Sequence, residues 1–358
     1  MENISKMIHC GDPSYGGAMY GCPDCAELKF VPFRCHSRFC PTYGNKYSME
    51  RSTSMSFKLI RCSHRHLVFT IDESLRHFFL VDRSLLNCLF LAVRSVILRM
   101  FHNMNKSKNF VPSFICVLHT FERPLEWNPH IHCLLTEGRY SDNGFWRVVK
   151  HFSYPYLRTA FQTALLNEMQ AQIGPSFKKM KSSIYRRDKK GFYVYAKSNL
   201  CDPDTVVTYI SRYLGRPVIA TSRIDSYDGE QVTFHYNRHE DNTYIERTLP
   251  VPEFIKLLIQ HIPEKHFKMT RYYGLYARDR EIDKRLAKAV PKPKHKILLD
   301  FNQWRTLILL SFGYDPLECP NCGQKMIFLE LYHNHKRVSL TELYERATVK
   351  ARHQINSS

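Results

Sequence analysis

The sequence predicts an α+β protein with small metal-binding modules. Two short runs, HLVFTI at 66–71 and SFICVLHTF at 113–121, are rich in the β-branched and aromatic residues typical of strands. A longer stretch at about 73–102 repeats apolar residues, such as Leu86 and Val93, at helical spacing. Cysteines cluster near both ends of the chain. These features predict a mixed core with modules that metal ions stabilise.

The other predicted elements follow in chain order: a strand carrying His130 and His132, a helix near 154–173, a solvated loop over KKMKSSIYRRDKK, a helix near 203–214, strands near 218–224 and 231–237, and a helix near 252–261. The segment AVPKPKHK has the composition of a linker. We therefore expect a cysteine-rich zinc module at 1–55, a main domain at 60–288, and a linker with a helical C-terminal region at 289–358.

The charge of the chain indicates a polyanionic partner. The 358 residues include 52 Lys and Arg against 33 Asp and Glu, which gives a formal net charge of +19. A balance this basic favours nucleic acid as the partner, and no basic amphipathic segment favours a membrane surface.

The sequence also predicts a cytoplasmic protein. The opening residues MENISKMIHCGDPS lack the apolar segment of a secretory signal, and no run reaches the ~20 apolar residues of a membrane span. Twelve cysteines in such a chain indicate thiolates in a reducing cytosol rather than disulfides, and their clustering favours metal binding.

The first cysteine cluster predicts a zinc site in the N-terminal module. Its members, Cys22, Cys25, Cys35 and Cys40, are spaced as C-x2-C-x9-C-x4-C. A two-residue gap lets both sulfurs face one ion, and four thiolates make a closed tetrahedral site. His36 could replace Cys35, Cys10 could join them, and the neighbouring Arg38 is a candidate for contact with DNA.

The second cluster predicts a weaker zinc site near the C-terminus. Cys319 and Cys322 form the knuckle CPNCG, which is a good half-site. His333 and His335 are the candidate second half, although their one-residue gap is shorter than the usual three to five.

Three histidine pairs have the form His-x-His: His64/His66, His130/His132 and His333/His335. In the strand NPHIHCLL, alternate side chains share a face, so His130 and His132 project together while Ile131 points to a core. Two neutral imidazoles side by side form half of a metal site.

The segment DPDTVVTYISRYLGRP predicts a helix of about three turns, with Asp202 as N-cap and Gly215 after its end. Tyr209 and Tyr213 lie four residues apart on one face of it. Arg212 and Arg216 beside them could hold phosphate. Tyr272 and Tyr276 share the four-residue spacing and are the next candidates.

Taken in order, the cysteine-rich module, HLVFTI, LHTFERPLEWNPHIH, YISRYLGRP, RYYGLYA and CPNCG resemble the insertion-sequence-91 family of bacterial transposases, which are HUH (His-hydrophobe-His) rolling-circle nucleases. The resemblance spans about residues 10–330. It implies a central antiparallel sheet of the ferredoxin-like type with packed helices and the HUH strand in its middle.

The resemblance further implies that His130 and His132 hold Mg²⁺ or Mn²⁺ and that Tyr209 and Tyr213 are the nucleophiles. The implied activity is the cutting and rejoining of single DNA strands, at the ends of a mobile element and at its target, through a 5′-phosphotyrosine bond. Such an enzyme would work in the bacterial cytoplasm in association with the nucleoid. His119 is our candidate for a third ligand, with Glu122 as the alternative because oxygen suits Mg²⁺ better.

One position departs from the family pattern. The N-terminal module of the family ends in C-P-x-C, but here the residues are Cys40-Pro41-Thr42-Tyr43, so that a tyrosine replaces the last sulfur. Two other functions stay open on sequence grounds: a plasmid replication initiator or relaxase with the same chemistry, and a non-enzymatic zinc-dependent DNA-binding protein.

Overall fold

The structure is a computed structural model, in which the chain forms two compact units. Unit 1 comprises residues 1–50 and 301–358, and unit 2 comprises residues 51–300. The residues that the structure describes are 2–35, 40–60, 62–104, 111–140, 146–149, 152–196, 218–238, 241–277, 303–333 and 336–339, with the single positions 293, 296 and 341.

The main sheet of unit 2 has six antiparallel strands: β3 (His64–Phe69), β4 (Val111–Phe121), β5 (Trp127–Tyr140), β6 (Trp146–Val148), β7 (Val194–Ala196) and β11 (Thr270–Tyr273). Their order is β11-β4-β5-β3-β7, and β6 pairs with the end of β5. The strand β5, which carries the HUH motif, therefore lies between β4 and β3 in the middle of the sheet.

One face of this sheet is the core of unit 2. Phe69, Ile131 and Leu135 are fully buried there, since alternate residues of a strand share a face. Four helices are packed around this core: α3 (Glu73–Val81), α4 (Leu86–Asn103), α5 (Tyr154–Ile173) and α6 (Lys178–Arg187).

Local sequence explains where these helices begin and end. The Asp72 side chain accepts a hydrogen bond from the Ser74 N–H at the start of α3. The helix α5 begins after Ser153, has Pro155 in its first turn and ends at Gly174, whose φ of 91° suits glycine.

The helix α6 corrects a sequence prediction, because KKMKSSIYRRDKK was expected to be a solvated loop. Ile184 is fully buried and Met180 and Tyr185 pack against the core, while basic side chains cover the outer face. Burial of this apolar stripe stabilises a helix that the charge of the segment obscured.

Within the described residues, one helical stretch, Arg83–Asn103, is long and apolar enough to cross a membrane, with a mean hydropathy of 1.6. Most of it is buried in the core of unit 2, as Leu89, Phe90 and Val93 illustrate. Such burial is typical of a core helix. The length and hydropathy of this helix are therefore weak evidence for a membrane span.

A second sheet of unit 2 has three antiparallel strands: β8 (Ile224–Tyr227), β9 (Gln231–Asn237) and β10 (Tyr244–Pro250), in the order β10-β9-β8. The helix α7 (Val251–Ile259) follows directly, and its Phe254 packs against Phe234 of β9. The expected turn at Asp228-Gly229 joins β8 to β9, with Gly229 at a φ of 103°.

Unit 1 contains α1 (Glu2–Ile8), β1 (Gly16–Gly21), β2 (Leu28–Pro32), α8 (Trp304–Phe312), β12 (Ile327–His333), β13 (Lys336–Val338) and the start of α2 (Pro41–Lys58). Its sheet has the order β13-β12-β1-β2, so strands from both ends of the chain pair with each other. The C-terminal region, which we expected to be helical, thus also contributes two strands.

The predicted α+β class with antiparallel sheets and cysteine clusters is confirmed. The expected N-terminal and C-terminal modules belong to one compact unit rather than two. The expected helix at 203–214 and the linker at 289–296 lie outside the described residues, apart from single positions in the linker.

Candidate catalytic and metal sites

The sheet register brings three histidines together on the face opposite the core. His119 of β4 pairs directly with His130 of β5, and Val117 pairs with His132. Directly paired residues share a face, so all three imidazoles project from the same side. Their candidate ligand atoms lie within 4.8 Å of one another.

The ring nitrogens of the HUH pair have the spacing of two ligands on one ion. His130 Nε2 lies 3.0 Å from His132 Nε2. Two neighbouring ligands of an octahedral ion, each bonded at ~2.1 Å, are ~3.0 Å apart. The donor set therefore fits a small divalent cation, and three nitrogen ligands would leave positions for substrate oxygens.

The other ring nitrogens are held by neighbouring groups. His130 Nδ1 lies 2.7 Å from the Asn128 carbonyl oxygen, which requires Nδ1–H to donate and leaves the Nε2 lone pair for a metal. His132 Nδ1 lies 2.9 Å from His66 Nε2, and the two rings stack with an interplanar angle of 5°. His66 thus orients His132.

The sequence did not single out His66, although the signal was present. His64-Arg65-His66 is one of the three His-x-His patterns, and it lies at the start of β3, the neighbour of β5. Only the pairing of β3 with β5 places His66 beside His132.

Burial favours the neutral form of His66 and His130, and the neutral imidazole is the form that binds metal. Burial, followed by the charge of His130, lowers the pKa of His66 to about 3. Burial also lowers the pKa of His130 from its usual value.

The alternative third ligand, Glu122, has other partners. Its carboxylate accepts a hydrogen bond from the Asn128 side-chain amide and lies 3.6 Å from Arg76 Nη2. It supports the residue whose carbonyl holds His130, and His119 occupies the third position of the cluster.

Two cysteine clusters lie in unit 1. One contains Cys22, Cys25, Cys319 and Cys322, and the other contains Cys10, Cys35 and Cys40. The expected grouping of Cys22 and Cys25 with Cys35 and Cys40 therefore differs from the structure. The reason is that β1 pairs with β12, which brings the C-terminal knuckle to Cys22 and Cys25.

Backbone N–H groups stabilise the second cluster. The Cys35 N–H donates to Cys10 Sγ at 3.4 Å, and the Tyr43 N–H donates to Cys40 Sγ at 3.5 Å. Within the described residues this cluster has three members, and the alternative ligand His36 lies outside them. The Tyr43 N–H thus makes the N–H···S hydrogen bond of a cysteine knuckle, although the tyrosine side chain supplies no sulfur ligand.

Of the two C-terminal histidines, His333 does not complete a site with Cys319 and Cys322. His333 is exposed and pairs with Gly16 at the end of β12. His335 lies outside the described residues, as do Arg38, Tyr209, Arg212, Tyr213 and Arg216.

The alternative tyrosine pair lies near the histidine sheet. Tyr272 of β11 pairs with Ile115, which shares the face of His119. The hydroxyl of Tyr276 lies 2.6 Å from His64 Nε2, and burial raises its pKa well above the usual value. Tyr276 is therefore poorly suited to supply a phenolate.

Comparison with known proteins identifies the kind of protein. Residues 113–283 match a family described as "Putative transposase", and residues 1–71 match the "Transposase zinc-binding domain" of the IS91 type. The three clustered histidines all lie within the matched residues 113–283. No solved structure matches the chain.

Two curated relatives are similar along most of their length. The transposase for insertion sequence element IS801 of Pseudomonas savastanoi pv. phaseolicola is 29% identical over 92% of this chain and 83% of its own. A Sinorhizobium fredii protein named "Putative transposase y4qJ" is 24% identical over 90% of this chain and 87% of its own. The cysteine clusters and the matched domain support zinc as a cofactor, and DNA is the partner of a transposase. The chain belongs to the insertion-sequence-91 family of transposases.

Proposed function

We propose that this transposase cuts and rejoins single DNA strands, with Mg²⁺ or Mn²⁺ at His119, His130 and His132 and a nucleophile from the pair Tyr209 and Tyr213. The observation that carries the proposal is the convergence of three imidazoles on one face of the sheet. Their spacing fits a divalent cation, and neighbouring groups orient the rings.

The described residues around the histidines support the metal-binding part of the chemistry. A bound cation would act as a Lewis acid on the non-bridging oxygens of the scissile phosphate. Asn128 and His66 hold the imidazoles of the HUH pair in position, so the ligands need little rearrangement. Mn²⁺ accepts imidazole more readily than Mg²⁺, which prefers oxygen, so Mn²⁺ is the better ion for assays.

The proposed step exchanges one phosphoester for another. The tyrosine oxygen attacks the phosphorus, a new O–P bond forms, and the bond from phosphorus to the 3′ oxygen breaks. The phenol loses its proton to water, and the leaving 3′ oxygen takes up a proton from water. The products are a 5′-phosphotyrosine and a 3′-hydroxyl. The reverse reaction with a new 3′-hydroxyl rejoins a strand without an external energy source.

A pair of tyrosines suits transfer between two strands. One phenol holds the first 5′ end while the second attacks another strand, so no cut 5′ end is released. We place the substrate class as single-stranded DNA at the element ends and at the target. The net charge of +19 supports this and predicts association with the nucleoid in the cytoplasm.

The test is a covalent adduct assay with labelled single-stranded DNA from the ends of the element and Mn²⁺. We expect a protein–DNA adduct that survives denaturation. Replacing both Tyr209 and Tyr213 with Phe should abolish it, and His130→Ala or His132→Ala should abolish it while DNA binding persists. Matched controls are Tyr314→Phe and His102→Ala, which change exposed residues outside the site.

Each other outcome has a definite meaning. An adduct that survives in the double Phe variant would refute the assignment of the tyrosines, and Tyr272 would be tested next. DNA binding without any adduct would favour a non-enzymatic DNA-binding protein. Cleavage of a plasmid origin but not of the element ends would favour a replication initiator or relaxase.

A further inference from the structure

Two cysteine knuckles meet at one end of the sheet in unit 1. Cys22 follows β1 directly, and the knuckle containing Cys319 and Cys322 precedes β12. The last residue of β1, Gly21, pairs with the first residue of β12, Ile327. The antiparallel pairing therefore brings together cysteines that are about 300 positions apart in the chain.

The two knuckles repeat the same backbone hydrogen bonds. The Cys22 N–H donates to the Glu27 oxygen at 2.9 Å, and the Ala26 N–H donates to the Cys22 oxygen at 3.0 Å. In the second knuckle the Cys319 N–H donates to the Gln324 oxygen at 2.8 Å, and the Gly323 N–H donates to the Cys319 oxygen at 2.9 Å.

The backbone conformation repeats as well. Ala26 and Gly323 each follow the second cysteine of a knuckle, and their φ angles are 57° and 75°. A left-handed residue at this place turns the backbone, and alanine tolerates it only under strain. Two unrelated loops would have no reason to share this feature, so the repeat indicates two halves of one site.

The sulfur positions fit a tetrahedral ion. Cys22 Sγ lies 3.4 Å from Cys322 Sγ, and Cys25 Sγ lies 3.6 Å from Cys319 Sγ. Zinc bonded to sulfur at ~2.3 Å separates its ligands by ~3.8 Å, whereas a disulfide bond is ~2.05 Å long. The four sulfurs are thus arranged for a shared metal rather than for disulfides.

The packing around the cluster gives the metal a structural purpose. The buried cluster here consists of Cys22, Cys319 and Met326, with Tyr20 and Cys25 packed against it. Most of this small core is the ligand set itself, so apolar burial alone gives little stabilisation.

We propose that Cys22, Cys25, Cys319 and Cys322 bind one structural zinc ion to which both ends of the chain contribute two ligands. The match to the zinc-binding domain covers residues 1–71 and thus holds only half of this site. Cys10, Cys35 and Cys40 form a separate cluster. The zinc-binding unit of this transposase is therefore completed by its C-terminal region.

The first test measures bound zinc and cysteine alkylation in the full-length protein. In the variant Cys319→Ser/Cys322→Ser, we expect the zinc content to fall by one equivalent per chain. Cys22 and Cys25 should then react as fast as they do after chelation, while Cys10, Cys35 and Cys40 keep their protection. The variant Cys62→Ser is the matched control, because Cys62 belongs to neither cluster.

Two results would overturn the proposal. Zinc content could stay unchanged in the double variant, or Cys22 and Cys25 could stay protected. Either result would mean that the N-terminal half binds zinc without Cys319 and Cys322.

A second variant tests the site without removing the metal. Cys322 is exposed, so Cys322→His has room for an imidazole and preserves four ligands. In the cobalt-substituted protein, we expect the visible absorption bands to shift to shorter wavelength and the thiolate charge-transfer band to weaken. Cys22 should stay protected from alkylation. A spectrum identical to that of the unmodified protein would show that Cys322 is not a ligand.

Discussion

The histidine cluster of unit 2 and the cysteine cluster of unit 1 are held in place by different forces. The imidazoles project from a sheet whose opposite face is buried against four helices. The thiols of Cys22 and Cys319 are themselves the buried core of their region. The histidines that we propose as ligands of the catalytic cation are thus positioned by a large apolar core, whereas we expect the region of the proposed zinc ligands to need its metal to fold.

This difference has a physical basis. A large apolar core stabilises unit 2 in proportion to the area it buries, so the polar face can be devoted to chemistry. The described part of unit 1 buries few hydrophobic side chains besides its cysteines, so we expect metal–sulfur bonds to provide much of the stabilisation. Removal of zinc should therefore mainly reduce stability, whereas removal of the cation at the histidines should mainly reduce activity.

Zinc removal should have the largest effect on stability. We expect a strong chelator to unfold the sheet of unit 1, with a loss on the order of 10 kcal/mol, while the six-stranded sheet persists. Hydrogen exchange should show amides of β1 and β12 losing protection and those of β4 and β5 keeping it. Added zinc should restore protection, and simultaneous loss in both sheets would contradict the comparison.

Acid should destabilise unit 2 through its buried histidines. Burial lowers the pKa of His64 to about 4 and that of His261 to about 4, against ~6.5 in the unfolded chain. Their neutral forms stabilise the fold fully above pH ~6.5, and that contribution is lost as the pH falls towards 4. The loss reaches about 3 kcal/mol for each histidine.

Urea unfolding at a series of pH values measures this effect. The slope between pH 6.5 and 4 should be positive, with stability rising with pH. Substitution of the exposed His77 by Ala should leave the slope unchanged. A flat profile in the unmodified protein would refute the assignment.

Adjacent residues of the HUH strand should separate stability from activity. Ile131 is fully buried, so Ile131→Ala should lower the free energy of unfolding by about 2–5 kcal/mol. His130→Ala changes the opposite face and should lower it by less than about 1 kcal/mol while abolishing adduct formation. Chemical denaturation and the adduct assay give both values, and a large stability loss in His130→Ala would weaken the distinction.

His66→Ala should weaken metal binding at the histidine site. Loss of the group beside His132 Nδ1 should lower the affinity for Mn²⁺ about 10- to 100-fold. Electron paramagnetic resonance titration measures this affinity directly. His66→Asn should recover part of it because an amide can hydrogen-bond to Nδ1, and His102→Ala should bind like the unmodified protein.

The two zinc knuckles offer the smallest and most closely matched test. Ala26→Gly should stabilise unit 1 by about 0.5–1 kcal/mol, because glycine adopts the left-handed conformation without strain. Gly323→Ala should destabilise it by about 1 kcal/mol or more, because alanine is strained at the left-handed φ of 75°, although the added Cβ would make only an ordinary contact with Glu318 Oε1 at 3.8 Å. Thermal unfolding with zinc present should show the opposite signs.

Much of the fold followed from local patterns. The strands at β3, β4 and β5 and the helices α4 and α5 have clear apolar periodicity, and the alternation around Ile131 indicated the facing of His130 and His132. The helix α6 was missed because its charge hid the buried stripe around Ile184. The His-x-His pattern marked His66, but its place beside His132 could not be predicted, because the two residues are 66 positions apart and only strand pairing joins them.

The sequence by itself determined the residue types that carry the chemistry: the His-x-His pair on a strand, the cysteine knuckles and the basic charge. Tertiary structure alone decided which of these residues lie close enough together to share an ion. Strand pairing joined His119 to His130, and it placed Cys319 and Cys322 against Cys22 and Cys25 rather than beside nearer cysteines. The physical reason is that ligands are chosen by distance in space, and sheet register sets that distance between segments far apart in the chain.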